Sequence, residues 1–280
     1  MNIHFTKMHG IGNDFVVINA IEQKISLSSE QISRIADRHF GVGCDQLLLV
    51  EEPAQAEADF RYRIFNADGG EVGQCGNGAR CFAKFVFDNG LTSRRNIPVE
   101  TASGLIFLQL EDDGQVAVNM GVPNFNPPDI PFIAQGTTEV DPEYYSLMVD
   151  DEKYAIGVVS IGNPHAVLLV ESVEDAAVEV LGPAVESHAQ FPERVNVGFM
   201  EIVNRSHIRL RVYERGSAET LACGSGACAA IAVGIRNRLL DDTVEAELRG
   251  GTVSVQWSGE GQPIILTGPA ETVFEGQIKL

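Results

Sequence analysis

Short apolar runs alternate with polar punctuation along the whole chain. Gln46 to Val50 is apolar behind one amide side chain, which predicts a short buried strand. Arg61 to Phe65 alternates polar and apolar, which predicts a strand that delivers Asn66 at its end. The period then lengthens. From about Gly76 to Asp88, Ala79, Phe82, Ala83 and Val86 share one helical face, and Asn89-Gly90 supplies a stop. Upstream, the Gly-rich string His9 to Phe15 precedes the apolar run Val16 to Ile18 and predicts a loop that feeds or interrupts a strand. Ser28 followed by Gln31 predicts a capping box, on a helix that buries Ile32, Ile35 and Ala36 and stops near Gly41. Leu105 to Leu110 and Val116 to Met120 flank Asp112-Asp113-Gly114, a hairpin signal. Pro123, Pro127, Pro128 and Pro131 crowd one stretch, which reads as a linker.

The second half replays the first. Val158 to Ile161 leads into Gly162-Asn163-Pro164-His165, which lies 150 positions after Gly12-Asn13; the same offset places Asn196 on Gln46. Ile208, Leu210 and Val212 alternate, and Glu214 falls where Asn66 fell. A helix from Gly224 to about Leu239, a hairpin around Gly250-Gly251, and short strands at 264–266 and 278–280 follow. The strongest echo joins Phe65–Ala83 to Tyr213–Ile231: an offset of 148 superposes Cys75 on Cys223, Glu71 on Glu219, Gly76 on Gly224, Gly78 on Gly226 and Ala79 on Ala227. A repeat of this length indicates two copies of one supersecondary unit. The expected fold is mixed α/β in two pseudo-symmetric domains, each a mixed sheet around one central helix. The boundaries expected are 1–122, with strand 270–280 returning to it, and 123–269.

Composition narrows the chemistry. A chain of 280 residues with 44% apolar and 21% charged residues is that of a globular protein. A formal charge of −19 disfavours nucleic acid and anionic lipid as partners. The start MNIHFTKMHG has neither the basic segment nor the apolar core of an export signal, and no run reaches membrane-spanning length. Five cysteines in that context are expected to be reduced thiols of a cytosolic protein.

Each repeat sets one cysteine at a helix entrance. Unpaired N–H groups and the helix dipole favour a thiolate there, and a glycine after it leaves those N–H groups open to an anion. If the two halves face each other with approximate two-fold symmetry, one ligand carboxylate receives N–H groups from both helices. Its α-carbon then lies between a thiolate and a thiol, an arrangement suited to stereoinversion by acid–base catalysis.

The strings KMHGIGNDF, NADGGEVGQCGNGAR, GNPHAV and ERGSAETLACGSGACA, with Asn196 between the last two, resemble the diaminopimelate epimerase family over nearly the whole chain, from Thr6 onward. The resemblance implies cofactor- and metal-independent interconversion of LL- and meso-diaminopimelate, in lysine and peptidoglycan precursor synthesis, by a homodimeric enzyme of two similar α/β domains. By motif it implies Cys75 and Cys223 as the catalytic pair, assisted by His165 and Glu214. It implies substrate contacts at Asn13, Gln46, Asn66, Asn163, Asn196, Glu214 and Arg215, and helix-start contacts at Gly76, Asn77, Gly224 and Ser225. Neutral amides both donate and accept, so Asn13, Asn66, Asn163 and Asn196 suit a distal amino-acid end, and Arg215 suits a carboxylate. One departure is visible: Ala218 stands where the family's ERG-x-GET carries its second glycine.

The alternatives are another cofactor-independent racemase of the same fold, acting on proline or hydroxyproline, and a redox role for two facing thiols. The distal-end readers Asn66, Asn163, Asn196 and Arg215 favour the epimerase. Cys44, Cys81 and Cys228 read as buried hydrophobes. No Cys-x-x-Cys or paired Cys/His spacing suggests zinc. His4, His9, His39, His188 and His207 have no motif support.

Overall fold

The computed structural model describes residues 2–73, 75–134 and 144–280, so Gln74, inside the first repeat, lies outside the described residues. The chain forms two compact units, residues 1–119 with 267–280, and residues 120–266. The first contains β1 (Asn2–Gly10), β2 (Asn13–Asn19), α1 (Ala20–Gln23), α2 (Ser29–Ala36), β3 (Gln46–Glu51), β4 (Phe60–Asn66), β5 (Glu71–Val72), α3 (Gly76–Asp88), β6 (Asn96–Thr101), β7 (Gly104–Leu110) and β8 (Val116–Asn119). The second contains β9 (Tyr145–Val149), β10 (Glu152–Ser160), β11 (Pro164–Leu169), α4 (Val178–Glu186), β12 (Asn196–Asn204), β13 (His207–Glu214), β14 (Ala218–Thr220), α5 (Gly224–Arg236), β15 (Thr243–Leu248) and β16 (Gly251–Gln256). Then β17 (Ile265–Gly268) leads back to the first unit, where β18 (Glu271–Lys279) pairs antiparallel with β1.

The same pairing scheme occurs twice. β1–β2 and β10–β11 are antiparallel hairpins; β2–β3 and β11–β12 are parallel; β3–β4 and β12–β13 are antiparallel; β4–β6 and β13–β15 are parallel. Parallel neighbours require a crossover, and α2 and α4 lie in the two corresponding connections. The fold class is mixed α/β, as the hydrophobic pattern predicts.

Within the first unit, alternate side chains of the sheet serve different helices. Val16, Ile18, Leu47 and Leu49 pack with Ile32 and Ile35 of α2. Phe15, Tyr62 and Ile64 line the path of α3, where a Cβ on Gly78 would lie 2.6 Å from the Tyr62 hydroxyl and 3.2 Å from Phe15. A sheet covered on both faces explains why 46–50 reads as a continuous apolar run. Gly226 of α5 stands in the matching place, where a Cβ would lie 3.0 Å from Val212 and 3.2 Å from Cys223 Sγ. The second glycine of each repeat is thus a packing requirement: it lets the helix that carries the cysteine lie close on its sheet.

The capping box at Ser28 and Gln31 forms as expected. The Pro-rich stretch does not behave as a linker. Asn124 exchanges two backbone hydrogen bonds with Ser160, Phe125 packs 5.9 Å from Trp257, and Ile130 is buried, all within the second unit. Helix α4 escapes the sequence pattern because Gly182 and Pro183 read against a helix. Gly182 is there because a Cβ would lie 2.7 Å from the Tyr213 ring. The terminal strand β18 is longer than the expected 278–280, since its mostly exposed side chains give no alternation to read. Helix α5 ends at Arg236, where Asn237 caps it through Nδ2 to the Val233 carbonyl at 2.8 Å.

Candidate active site

In the first unit the candidate residues gather at the ends of β2, β3 and β4 and the start of α3. Cys75 is the N-cap of α3 in an extended conformation (φ −143°, ψ 124°), with Gly76 and Asn77 in the first turn. Its Sγ lies 3.8 Å from Asn13 Oδ1, which also accepts from Asn77 Nδ2 at 3.1 Å. Gln46 and Asn66 face each other across the β3–β4 register, and Gln46 Nε2 donates to Asn66 Oδ1 at 2.9 Å. Beneath the helix start, the Tyr62 hydroxyl donates to the Cys75 carbonyl at 3.4 Å.

The second unit repeats the placement with more acidic chemistry. Cys223 is the N-cap of α5 (φ −130°, ψ 103°), with Gly224 and Ser225 in the first turn. Its Sγ donates to Glu214 Oε2 at 3.1 Å and lies 3.7 Å from Ser225 Oγ, while Glu214 Oε1 accepts from the Thr220 hydroxyl at 2.6 Å. Burial pushes the Cys223 thiol well above its ordinary range, and the Glu214 carboxylate pushes it further; Ser225 and the Gly226 N–H pull the other way and lose. A helix entrance favours a thiolate, but at Cys223 desolvation and a neighbouring negative charge outweigh the helix terminus and favour the thiol.

Asn163 Nδ2 reaches Ser225 Oγ at 3.5 Å, and Asn163 Oδ1 lies 3.0 Å from His165 Nε2. Burial, and after it the Arg215 charge, lowers the His165 pKa to about 3. The ring is therefore neutral at physiological pH, with Nε2–H donating to Asn163. We expect the His165 Cε1 proton resonance to show no titration step between pH 8 and pH 5, and a step near pH 6.5 would contradict this burial. The folded pKa is below the unfolded one of about 6.5, so this contribution to stability is complete above that pH. It is lost as pH falls toward 3, by several kcal/mol.

Asn196 is buried, with Nδ2 donating to the Pro164 carbonyl at 3.0 Å and Oδ1 accepting from the Arg215 N–H at 3.0 Å. Its amide therefore shapes the loop that carries Arg215. The Arg215 side chain is exposed, and its guanidinium donates to the Glu193 carbonyl at 3.0 Å. Ala218, which follows that loop as the first residue of β14, sits at φ 60°. A left-handed alanine costs about 1–2 kcal/mol, against about 0.4–1 kcal/mol of unfolded-state entropy that glycine would add. Ala218→Gly should therefore raise the unfolding free energy by about 0.5 kcal/mol in urea titration, with a lower value than wild type counting against the strain.

Sequence reasoning missed the groups behind these residues. Asp45 holds the Asn13 amide at 2.9 Å, Thr220 holds Glu214, and buried Glu186 accepts from the Gly216 N–H at 3.1 Å and pairs with Arg194 at 2.9 Å. The repeat held one further signal. At the 148 offset Arg63 falls on Arg211, and both form two-pronged ion pairs, Arg63 with Glu71 at 2.7–2.8 Å and Arg211 with Glu219 at 2.7–2.9 Å. The remaining cysteines are buried, and burial pushes the Cys44 and Cys81 thiols up to about 12. Among the described residues no group of three or more His, Cys, Asp or Glu side chains is placed to hold a metal ion, and no helix is long and apolar enough to cross a membrane.

Known proteins resemble this chain in sequence and in fold. A diaminopimelate epimerase from Nitrosospira multiformis is 56% identical over 280 residues, covering 100% of this chain and 99% of that protein. One from Nitrosomonas europaea is 57% identical over 280 residues, covering 100% of both. Among solved structures, a PhzF-family phenazine biosynthesis protein from Bacillus anthracis superposes with a TM-score of 0.69 at 18% identity, covering 100% of both chains. A hydroxyproline epimerase from Agrobacterium vitis gives 0.69 at 16%, covering 99% of this chain and 92% of that one. At such identities the likeness is one of fold. The family profile for diaminopimelate epimerase matches residues 5–126 and 157–273, and on that match and those relatives the chain belongs to the diaminopimelate epimerase family.

Proposed function

We propose that this protein interconverts LL- and meso-2,6-diaminopimelate by exchanging one α-proton between two thiols, Cys75 and Cys223, in lysine and peptidoglycan precursor synthesis. The observation that carries the reading is a cysteine at the N-cap of the central helix in each unit, in a chain 56–57% identical to diaminopimelate epimerases over its full length. A thiolate removes the α-proton from one face. The developing negative charge spreads onto the substrate carboxylate, where first-turn N–H groups at Gly76-Asn77 and Gly224-Ser225 stabilise it. The second thiol delivers a proton to the opposite face, so one proton enters as one leaves. Neither thiol has to cross the carbon, and no group beyond protein and substrate takes part.

The elevated Cys223 pKa makes that residue the resting acid, and its hydrogen bond to Glu214 gives its proton a place to go when it serves as base. Asn66, Asn163, Asn196 and Arg215 read the distal zwitterion, which separates this substrate from proline or hydroxyproline. We place the enzyme in the cytosol as a homodimer, on the resemblance to the family.

The deciding experiment is proton NMR of the purified, reduced protein with LL-diaminopimelate in deuterated water, without added cofactor. The α-proton signal should disappear as meso product grows in. A folded, reduced sample that gives neither exchange nor product would overturn the reading, and proline and hydroxyproline would be tested next.

A further inference from the structure

The Asn13 amide has a donor end and an acceptor end, and they face different neighbours. Its Nδ2 donates to Asp45 Oδ2 at 2.9 Å. Its Oδ1 lies 3.8 Å from Cys75 Sγ and accepts from Asn77 Nδ2 at 3.1 Å. A carboxylate paired with a guanidinium offers only lone pairs, so Asp45 selects the nitrogen end of the amide. Flipping Asn13 would set oxygen against oxygen at Asp45 and nitrogen against nitrogen at Asn77.

Asp45 is itself fixed. Its Oδ1 accepts from Arg38 at 2.7 Å, its Oδ2 accepts the Asp14 N–H at 3.1 Å, and its own N–H donates to Asp14 Oδ1 at 2.8 Å. Asp14 takes both Arg38 NH1 and NH2, at 3.0 and 2.8 Å, and pairs with Lys7 at 2.5 Å. Burial alone would raise the Asp14 pKa, but the hydrogen bonds from Arg38 and Lys7 outweigh it and hold the carboxylate well below its usual range. Two carboxylates and two cations thus lock one side of Asn13, and Cys75 stands at the other.

We propose that Asp45 is a positioning residue for the epimerisation: it fixes the Asn13 amide with its oxygen toward Cys75. An acceptor facing sulfur raises the proton affinity of Cys75 and so makes its thiolate the stronger base, whereas a flipped amide would donate N–H, stabilise the thiolate and weaken it as a base. Asp45 therefore sets the hydrogen bonding at Cys75 without touching it. The proposal rests on Cys75 being a reacting thiol.

Asp45→Asn keeps the shape but weakens the selection, since an amide at 45 must turn its NH2 group either to Arg38 or to Asn13 and the Asp14 N–H. Asp45→Ser serves the same purpose where the asparagine variant does not purify folded. Two readouts apply: kcat/KM for epimerisation, and the rate of Cys75 alkylation by iodoacetamide at neutral pH, followed by mass spectrometry. In the otherwise native protein Asp45→Asn should lower kcat/KM about tenfold and raise Cys75 alkylation about threefold or more. In an Asn13→Ala background both changes should shrink to less than about twofold, because the group through which Asp45 acts is gone. Equal factors in the two backgrounds would show a role independent of Asn13 and overturn the proposal, as would unchanged alkylation in the native background. Native protein that exchanges no diaminopimelate α-proton would refute the functional reading, while the alkylation cycle would still decide the role of Asp45.

Discussion

Cys75→Ala and Cys223→Ala are each expected to abolish net epimerisation, lowering kcat/KM by about 10³-fold or more, because each removes the general acid of one direction and the general base of the other. The ratio of kcat/KM in the two directions is fixed by the equilibrium between the diastereomers, which no mutation alters. Both directions must therefore fall by one factor in each variant. Loss of a single acid–base group is typically about 10²–10⁴-fold, and the low acidity of an α-proton places this case toward the upper end. Initial rates from LL- and from meso-diaminopimelate, measured on folded protein, check the expectation. Either variant retaining near-native turnover would refute the two-thiol mechanism, since a single-base enzyme needs only one of them.

Glu214→Gln should cost about 10²-fold in kcat/KM, again equally in both directions. The substitution is nearly isosteric, and its amide oxygen can still accept from Thr220. The nitrogen end then faces Cys223 Sγ, where Glu214 Oε2 now stands at 3.1 Å. Removing the negative charge lowers the Cys223 pKa, and an N–H donor to sulfur lowers it further. The resting thiol becomes harder to keep protonated and has no carboxylate to take its proton when it must act as base. Two observations should therefore move oppositely: turnover falls while alkylation of Cys223 at neutral pH quickens. Turnover within about threefold of the native enzyme would remove Glu214 from the proton path.

Much of this was legible along the chain because it depends on periodicity. Gln46 to Val50, Arg61 to Phe65 and the helix from Gly76 announce themselves by which side chains must be buried, and the duplicated Cys-Gly-x-Gly-Ala marks two helix entrances of the same kind. What escaped had no periodic signature. Helix α4 contains Gly182 and Pro183, so local propensity argues against it. Its existence follows from parallel β11 and β12, which need a crossover just as β2 and β3 do. Strand β18 lies with most side chains in solvent, so no alternation marks it, although Phe274 packs on Phe5 of β1. The resemblance implied reacting and substrate-facing residues by motif, and it was silent on what holds them.

The sequence by itself determined the fold class, the family, the two-fold repeat and the identity of the two cysteines at the helix starts. Each of these is carried by residue type and spacing within one short stretch or by an offset between two. The tertiary structure alone decided the protonation of Cys223, the neutrality of His165 and the orientation of Asn13. Those properties depend on burial and on partners remote in the chain: Asp45 lies 32 residues from Asn13, and Cys75 lies 62 residues from it. Desolvation and hydrogen-bond direction are set only when strand register and helix packing bring such groups within about 3–4 Å of one another.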